Sequence, residues 1–229
     1  MRSEENASSL AFEAYSVVRQ RILTGQLHIG QSVSRRQLAC ELGISFLPAS
    51  EALLRLEFEG LIESRPRVGT RVRVPSAADV RGQFVVREAL EVQAALLFQR
   101  EATVSERTQL MRMAARVDAL SRRNDRTLYY ELHQQLHRRI AECTRCDALR
   151  EAVEHAHALA SMWFCAGDSS IEGPRQRHQD LIAAIVSDDP AVAEQAVRAH
   201  VQFGLAHALK TLQPCIEAHA GRRAFPRTR

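Results

Sequence analysis

Amphipathic helical patterns fill almost the whole chain after Pro75, and no other feature of the sequence constrains the fold as strongly. Apolar residues recur at helical spacing in six successive segments, which turn-forming residues separate. We expect helices over 78–102, 105–123, 126–142, 147–165, 173–187 and 190–212. Because a helical region of this length can bury a substantial core, residues 76–229 are predicted to form an antiparallel all-α helical bundle. Its last segment, Gly221–Arg229, is basic and is assigned no regular structure.

Residues 1–75 carry a different pattern. A first amphipathic helix is followed by a second over 35–42, and Ser45 is a good N-cap for a third, with Pro48 in its first turn. Arg71–Val74 then alternates polar and apolar residues after a turn-forming stretch, which predicts a small β-hairpin. Helix, tight turn, helix and hairpin form a winged helix-turn-helix, which presents a recognition helix to the major groove of DNA. The predicted fold is therefore mainly α, with residues 1–75 as a DNA-binding domain.

Composition excludes several classes of protein. No apolar run approaches the length that spans a bilayer, and residues 1–9 are polar and acidic, without the apolar stretch of a secretory signal. Five cysteines form no disulfide framework, so we expect a cytoplasmic protein. The net charge is only +4, and all cationic residues except Lys210 are Arg. Since a GC-rich gene produces the same excess of Arg, the charge permits nucleic-acid binding without arguing for it.

An ordered series of motifs runs from Tyr15 to Val74. It comprises Arg21–Gly25, His28–Gly30, Leu38–Ala39, Leu42–Ser45, Pro48, Glu51–Leu53, Arg55–Glu57, Glu59–Ile62 and Gly69–Val72. In these residues the sequence resembles the GntR family of bacterial transcription regulators. The resemblance implies a winged helix-turn-helix that binds double-stranded operator DNA.

The resemblance also implies which residues contact DNA. Arg36 matches a DNA-contacting position, and Gly69 matches the wing tip that enters the minor groove. The family carries Arg directly after the turn Ser45 and again five residues after that Ser, and this chain has Phe46 and Ser50 there. The candidate DNA-binding residues are Arg35, Arg36, Ser45, Phe46, Ser50, Arg67, Gly69 and Thr70. Arg65, Arg71 and Arg73 are further candidates for phosphate contacts, with a solvated basic loop as the alternative for the last two.

Four of the nine histidines have a spacing that suggests a metal site. His133 and His137 are four residues apart and project from one face of a predicted helix. His178 and His200 each share the apolar face of another predicted helix. One inward histidine is more often a satisfied core residue than a ligand, but four on three helices are costly to bury unless a divalent cation uses their lone pairs. His157 lacks this combination and is interpreted as structural or exposed.

The same four positions resemble the metal-binding members of the FCD-type (FadR C-terminal) helical domain, which follows the winged helix in one GntR subfamily. In those members an Asp and three His converge from three helices, and the matching positions here are His133, His137, His178 and His200. His133 stands where the family has Asp. Exchanging oxygen for nitrogen favours Zn²⁺, Ni²⁺ or Co²⁺ over Mn²⁺ and leaves the site more cationic, so Zn²⁺ or Ni²⁺ is the expected cofactor.

Arg87 is the candidate effector-binding residue. It matches the Arg that the FCD-type domain directs into its pocket, and a guanidinium beside an open metal position suits bidentate capture of a small carboxylate. The alternative is an ion pair with Glu91, one helical turn further on, which contributes little on an exposed helix.

These features favour a homodimeric, ligand-responsive transcription regulator, which we expect to be a repressor rather than an enzyme. The rival is a small metal-dependent hydrolase that uses the histidine cluster. That reading leaves the winged helix unexplained, and Gln134 and Gln135, rather than a catalytic Glu, lie between His133 and His137. A DNA-binding scaffold with a merely structural metal is a third alternative.

Overall fold

The computed structural model describes residues 2–121, 126–164 and 177–220, and within them the chain is mainly helical. The elements are, in chain order, α1 Arg2–Leu23, β1 Ser32–Val33, α2 Arg35–Leu42, α3 Phe46–Phe58, β2 Ile62–Arg65, β3 Gly69–Val72, α4 Ala77–Glu101, α5 Val104–Leu120, α6 Arg126–Glu142, α7 Asp147–Phe164, α8 Arg177–Val186 and α9 Pro190–Ala220. Two compact units result. Among the described residues, the first unit contains the chain up to Ser76 together with 162–164 and 212–220. The second unit contains 77–121, 126–161 and 177–211.

The first unit contains the helix-turn-helix. Helices α1 and α2 both pack against α3, which buries Ala49, Ala52, Leu53 and Leu56 on one face. Helix α2 begins at the N-cap Ser34, whose hydroxyl accepts a hydrogen bond from a backbone N–H in its first turn, and ends at a left-handed glycine. These are the bounds that the sequence predicted for α2, and the inward face of α3 is also confirmed.

A small antiparallel sheet forms the wing beside these helices. Its strand order is β1-β3-β2, and β2 pairs with β3 from Ile62 opposite Val72 to Arg65 opposite Gly69. The predicted hairpin is therefore present, but Arg65 and Gly69 belong to its strands rather than to its turn, and Arg73 lies beyond the strand. The strands are shifted because Ile62 and Val72 are buried under the sheet, which sets the register.

The second unit is a helical bundle. Helix α5 packs against α6 and α8, and α4 packs against the same two helices. Its fully buried side chains include Phe84, Phe98, Leu110, Leu136 and Ile182. This confirms the predicted C-terminal helical bundle. No helix among the described residues has both the length and the apolarity needed to cross a bilayer.

Most predicted helix bounds agree with the observed ones within a few residues. One end is wrong: α9 continues to Ala220 rather than stopping at residue 212, with Pro214 inside the helix. A proline removes one backbone hydrogen bond, but it does not end a helix whose following residues can still pack. Leu212 is fully buried and Cys215 is half-buried, so this part of α9 still has packed side chains. The start predicted at residue 173 and the basic tail Gly221–Arg229 lie outside the described residues.

Candidate metal centre and DNA-binding surface

Four buried histidines from three helices converge in the second unit. His133 and His137 project from α6, His178 lies in the first turn of α8, and His200 lies in α9. One ring nitrogen of each lies within 4.8 Å of the corresponding nitrogen of the others. The Nε2 atoms of His133 and His137 are 3.2 Å apart, and neighbouring ligand nitrogens around tetrahedral zinc are about 3.3 Å apart. The four histidines that the sequence singles out therefore form one cluster that can hold a metal ion.

Burial favours the neutral imidazole in three of these histidines, His133, His178 and His200. It is the largest cause that lowers the pKa of His133 and of His200 well below the ordinary value of 6.5. Burial likewise lowers the pKa of His178 to about 4, against an opposing hydrogen bond to a carboxylate. A neutral imidazole presents one nitrogen lone pair, which is the form that binds a metal.

Asp118, at the end of α5, makes several contacts with the start of α8. Its Oδ1 lies 2.7 Å from Nδ1 of His178 and accepts the backbone N–H of His178 at 3.2 Å. Its Oδ2 accepts the backbone N–H of Gln179 at 3.0 Å. Burial alone would raise the pKa of Asp118, but the hydrogen bonds from His178 and Gln179 lower it overall. The ionised carboxylate therefore leaves Nε2 as the nitrogen of His178 with a free lone pair.

Two nitrogen atoms in the cluster indicate that a metal ion fits the site. Nε2 of His178 and Nδ1 of His200 are buried and have no hydrogen-bond partner within the described part of the chain. A buried polar atom without a partner costs about 1–3 kcal/mol, so native proteins rarely keep one without a reason. A divalent cation would satisfy such lone pairs, and the donor set of four imidazoles suits Zn²⁺, Ni²⁺ or Co²⁺.

Glu91, on α4, lies beside the cluster and contacts three groups. Its carboxylate accepts from Nε of Arg87 at 2.9 Å, and its two oxygens lie 3.1 Å from Nδ1 of His137 and from Nε2 of His157. Burial alone would raise the pKa of Glu91, but Arg87 and both histidines lower it well below the ordinary value. Glu91, His137 and His157 also have the spacing of a metal site. The guanidinium of Arg87 beside the carboxylate opposes a second cation there.

Arg87 is fully buried. The two roles considered for it are binding of an effector and an ion pair with Glu91. The ion pair with Glu91 exists, with Nη2 at 2.8 Å, and it is a buried pair rather than an exposed one. Nη1 is buried and has no hydrogen-bond partner among the described residues. This leaves the Nη1 amino group, with its two N–H donors, for another acceptor.

Sequence reasoning missed three residues that contact the histidine cluster or Arg87. They are Asp118, His157, and Glu91 in its contacts with His137 and His157. His157 was interpreted as structural or exposed, and its burial agrees with the structural alternative. It shares an inward face with Val153 and Ala160, a signal that was available in the sequence. The role of Asp118 had no such signal, because its contact with His178 spans 60 residues and depends on how α5 packs against α8.

The candidate DNA-binding residues lie on α2, α3 and the wing. Arg35 and Arg36 are exposed at the start of α2, and Ser45 and Phe46 are exposed at the start of α3, with Phe46 59% exposed. Ser50 is half-buried, and its hydroxyl donates to the carbonyl of Phe46 at 2.8 Å. These residues thus occupy the beginning of the recognition helix and the helix before it.

The wing holds the rest of the candidate set. Arg67 and Gly69 are exposed at its tip and have φ of 62° and 108°, a region that glycine adopts most easily. Thr70 is 8% exposed, and its hydroxyl lies 3.0 Å from that of Ser64, so its side chain packs inside the wing. Arg71 is held by Glu63, with Nε at 2.6 Å, which lowers the positive charge that the wing offers to phosphates.

Comparison with known proteins agrees with both parts of this description. Residues 10–72 match the family of bacterial regulatory proteins named gntR, and residues 83–203 match the FCD domain, which covers more than half of the chain. The chain belongs to the GntR family, with an FCD domain. This GntR regulator is therefore a DNA-binding transcription regulator and not an enzyme, as the sequence predicted.

Relatives and solved structures agree with this family membership. The regulator is 26% identical over 205 residues to the HTH-type transcriptional regulator YdhC of Bacillus subtilis (strain 168), covering 87% of this chain and 91% of YdhC. It is 23% identical over 193 residues to the HTH-type transcriptional repressor RspR of Escherichia coli (strain K12), covering 83% and 85%. The E. coli structure McbR/YncC has the same fold, with a TM-score of 0.75 at 19% identity over 88% of this chain and 97% of that one.

Proposed function

We propose that this GntR regulator is a homodimeric repressor controlled by a small organic acid at a metal site in its C-terminal region. DNA binding is assigned to residues 1–75, and effector binding and dimerisation to residues 76–229. A repressor acts on the chromosome, so the proposed location is the cytoplasm. Repression is the function named for the relative RspR, and a dimer matches the two half-sites of a palindromic operator.

The metal is proposed to bind His133, His137, His178 and His200. The observation that carries this assignment is the pair of buried nitrogens on His178 and His200 that have no hydrogen-bond partner in the described part of the chain. Burial favours the neutral form of His133 and His200, which supports the assignment, because a protonated imidazole cannot be a ligand. When bound, Zn²⁺ or Ni²⁺ would act as a Lewis acid toward one carboxylate oxygen of the effector.

Arg87 is proposed to hold the effector carboxylate through Nη1. Two of its three nitrogens already donate to Glu91, so the guanidinium is held in place and Nη1 remains available. A charge-assisted hydrogen bond in a buried site is stronger than one in water, which favours an anionic effector. Effector binding would shift the population of dimer geometries and so change the fit to both half-sites.

DNA is proposed to contact the exposed start of α3 and the wing tip. Arg35, Arg36 and Arg67 are exposed and form no ion pair with any carboxylate among the described residues, so they are available to phosphates. Phe46 replaces a family arginine and offers an apolar ring to thymine methyl groups. Ser45, Ser50 and Gly69 complete the proposed set, whereas the side chain of Thr70 is buried in the wing.

A thermal-shift screen of small organic acids on zinc-loaded protein tests the effector site. We expect one class of carboxylate to raise the melting temperature of the wild type and to change operator binding in a gel shift. Arg87→Lys keeps a cation beside Glu91 but removes the planar fork, so it should retain the metal and lose the response. Equal responses of wild type and variant would contradict the role of Arg87.

A further inference from the structure

We infer that Asp118 is a positioning residue for the metal: it holds His178 in the tautomer whose Nε2 lone pair faces the other three histidines. This inference rests on the metal site proposed above. It concerns a residue on α5, a helix that supplies none of the four proposed ligands.

The geometry at Asp118 determines which nitrogen of His178 carries the proton. Oδ1 lies 2.7 Å from Nδ1, a distance at which an ionised carboxylate requires an N–H donor. A neutral imidazole has only one N–H group, so Nε2 is left with its lone pair. That same Nε2 is buried and has no hydrogen-bond partner among the described residues, which gives an independent reason to assign it to the metal.

Asp118 is better suited to this task than Glu91, the other carboxylate beside the cluster. Glu91 is shared between Arg87, His137 and His157, so its charge is largely balanced by a guanidinium. Among the described residues, the hydrogen bonds to the carboxylate of Asp118 come instead from two adjacent residues of α8, His178 and Gln179. One carboxylate therefore fixes both the ring of His178 and the backbone turn that carries it.

The contacts to the α8 backbone make Asp118 a helix cap as well, so the test must separate positioning from stability. Asp118→Asn keeps the size and one acceptor oxygen, but its amide can donate to Nδ1 and so favour the other tautomer, with the proton on Nε2. Second-shell partners of this kind typically change metal affinity 10–100-fold. We expect Asp118→Asn to weaken Zn²⁺ binding by that factor, as measured by competition with a chromogenic chelator on the full chain.

The matched control removes a cap away from the metal. Thr103 caps α5 through a hydrogen bond from the backbone N–H of Glu106, and neither residue contacts the histidine cluster. Thr103→Ala should lower the urea midpoint of the metal-free protein and leave the Zn²⁺ affinity unchanged. Equal losses of Zn²⁺ affinity in Thr103→Ala and Asp118→Asn would show that general destabilisation, not positioning, is responsible.

A double-mutant cycle completes the test. If Asp118 acts through His178, Asp118→Asn should have no further effect on Zn²⁺ affinity in a His178→Ala background. A full 10–100-fold loss in that background would overturn the inference while the metal site stands. Wild-type protein that binds no Zn²⁺ would overturn the proposed metal site, and the inference with it. Normal wild-type affinity that Asp118→Asn leaves unchanged would overturn the inference alone.

Discussion

Replacing Arg87 by Met should lower the free energy of unfolding, because the buried carboxylate of Glu91 loses its cationic partner. Arg87 and Glu91 are 2% and 8% exposed, so the substitution leaves a carboxylate in the interior without its guanidinium partner. Breaking a buried pair on one side typically costs about 3–5 kcal/mol. We expect a value near the lower end, because His157 has a nitrogen 3.1 Å from the same carboxylate and can bind a proton to balance it.

A second substitution, Glu91→Gln, completes a double-mutant cycle by removing the negative charge that Arg87 compensates. Arg87→Met with Glu91→Gln contains no uncompensated carboxylate, so it should recover most of the lost free energy of unfolding. Burial is the main cause that lowers the pKa of His157 to about 3, and Arg87 contributes to the lowering. Without Arg87 that pKa should rise, and the cost of the single variant should therefore be smaller at pH 6 than at pH 8.

Urea unfolding of the metal-free protein, followed by circular dichroism, measures these differences. The matched control is Arg198→Met, which removes a guanidinium that pairs with Glu194 and Glu88 while 49% exposed. Solvent screens such pairs, so a much smaller effect is expected. A cost for Arg87→Met no larger than that for Arg198→Met would contradict the stabilising role of the buried ion pair. A double variant no more stable than Arg87→Met would contradict it as well.

Three further predictions concern other parts of the chain. The backbone N–H of Thr103 is the main cause that lowers the pKa of Glu106 to about 2, so Glu106→Gln should cost about 0.5–2 kcal/mol at pH 7. The stability that the ionised Glu106 carboxylate adds is complete above about pH 4.5 and is lost as the pH falls towards 2. The urea midpoints of wild type and variant should therefore converge in that range. Arg36→Ala and Gly69→Glu should weaken operator binding in gel shifts, with a shallower salt dependence for Arg36→Ala, and unchanged binding in both would contradict the docking mode. Selection from random DNA should yield a different operator for Phe46→Arg than for the wild type, whereas identical operators would show that Phe46 does not read bases.

The parts of the fold that depend on local pattern were predictable from the sequence. Ser34 and Gly43 delimit α2 by hydrogen bonds within a few residues, and the bounds of that helix were predicted correctly. β1 has only two residues, Ser32 and Val33, and is stabilised by pairing with a strand nearly 40 residues away, so no local pattern indicates it.

The same distinction holds for the candidate site. His133 and His137 lie one helical turn apart, and such spacing is visible in any sequence. Asp118 reaches His178 only because α5 packs against α8, and the balance of charge around Glu91 depends on three helices. The sequence therefore predicted a cationic site without carboxylates, whereas the structure has ionised carboxylates in contact with two of the four histidines.

Metal content of the full chain is the most direct test of the proposed metal site. Protein purified without chelators or a nickel column, then incubated with Zn²⁺ and desalted, is measured by elemental analysis. We expect one metal ion per chain in the wild type and in His155→Ala, whose histidine is exposed, and a large loss in His178→Ala and His200→Ala. A wild-type protein that retains no Zn²⁺, Ni²⁺ or Co²⁺ after this treatment would contradict the proposed four-histidine metal site.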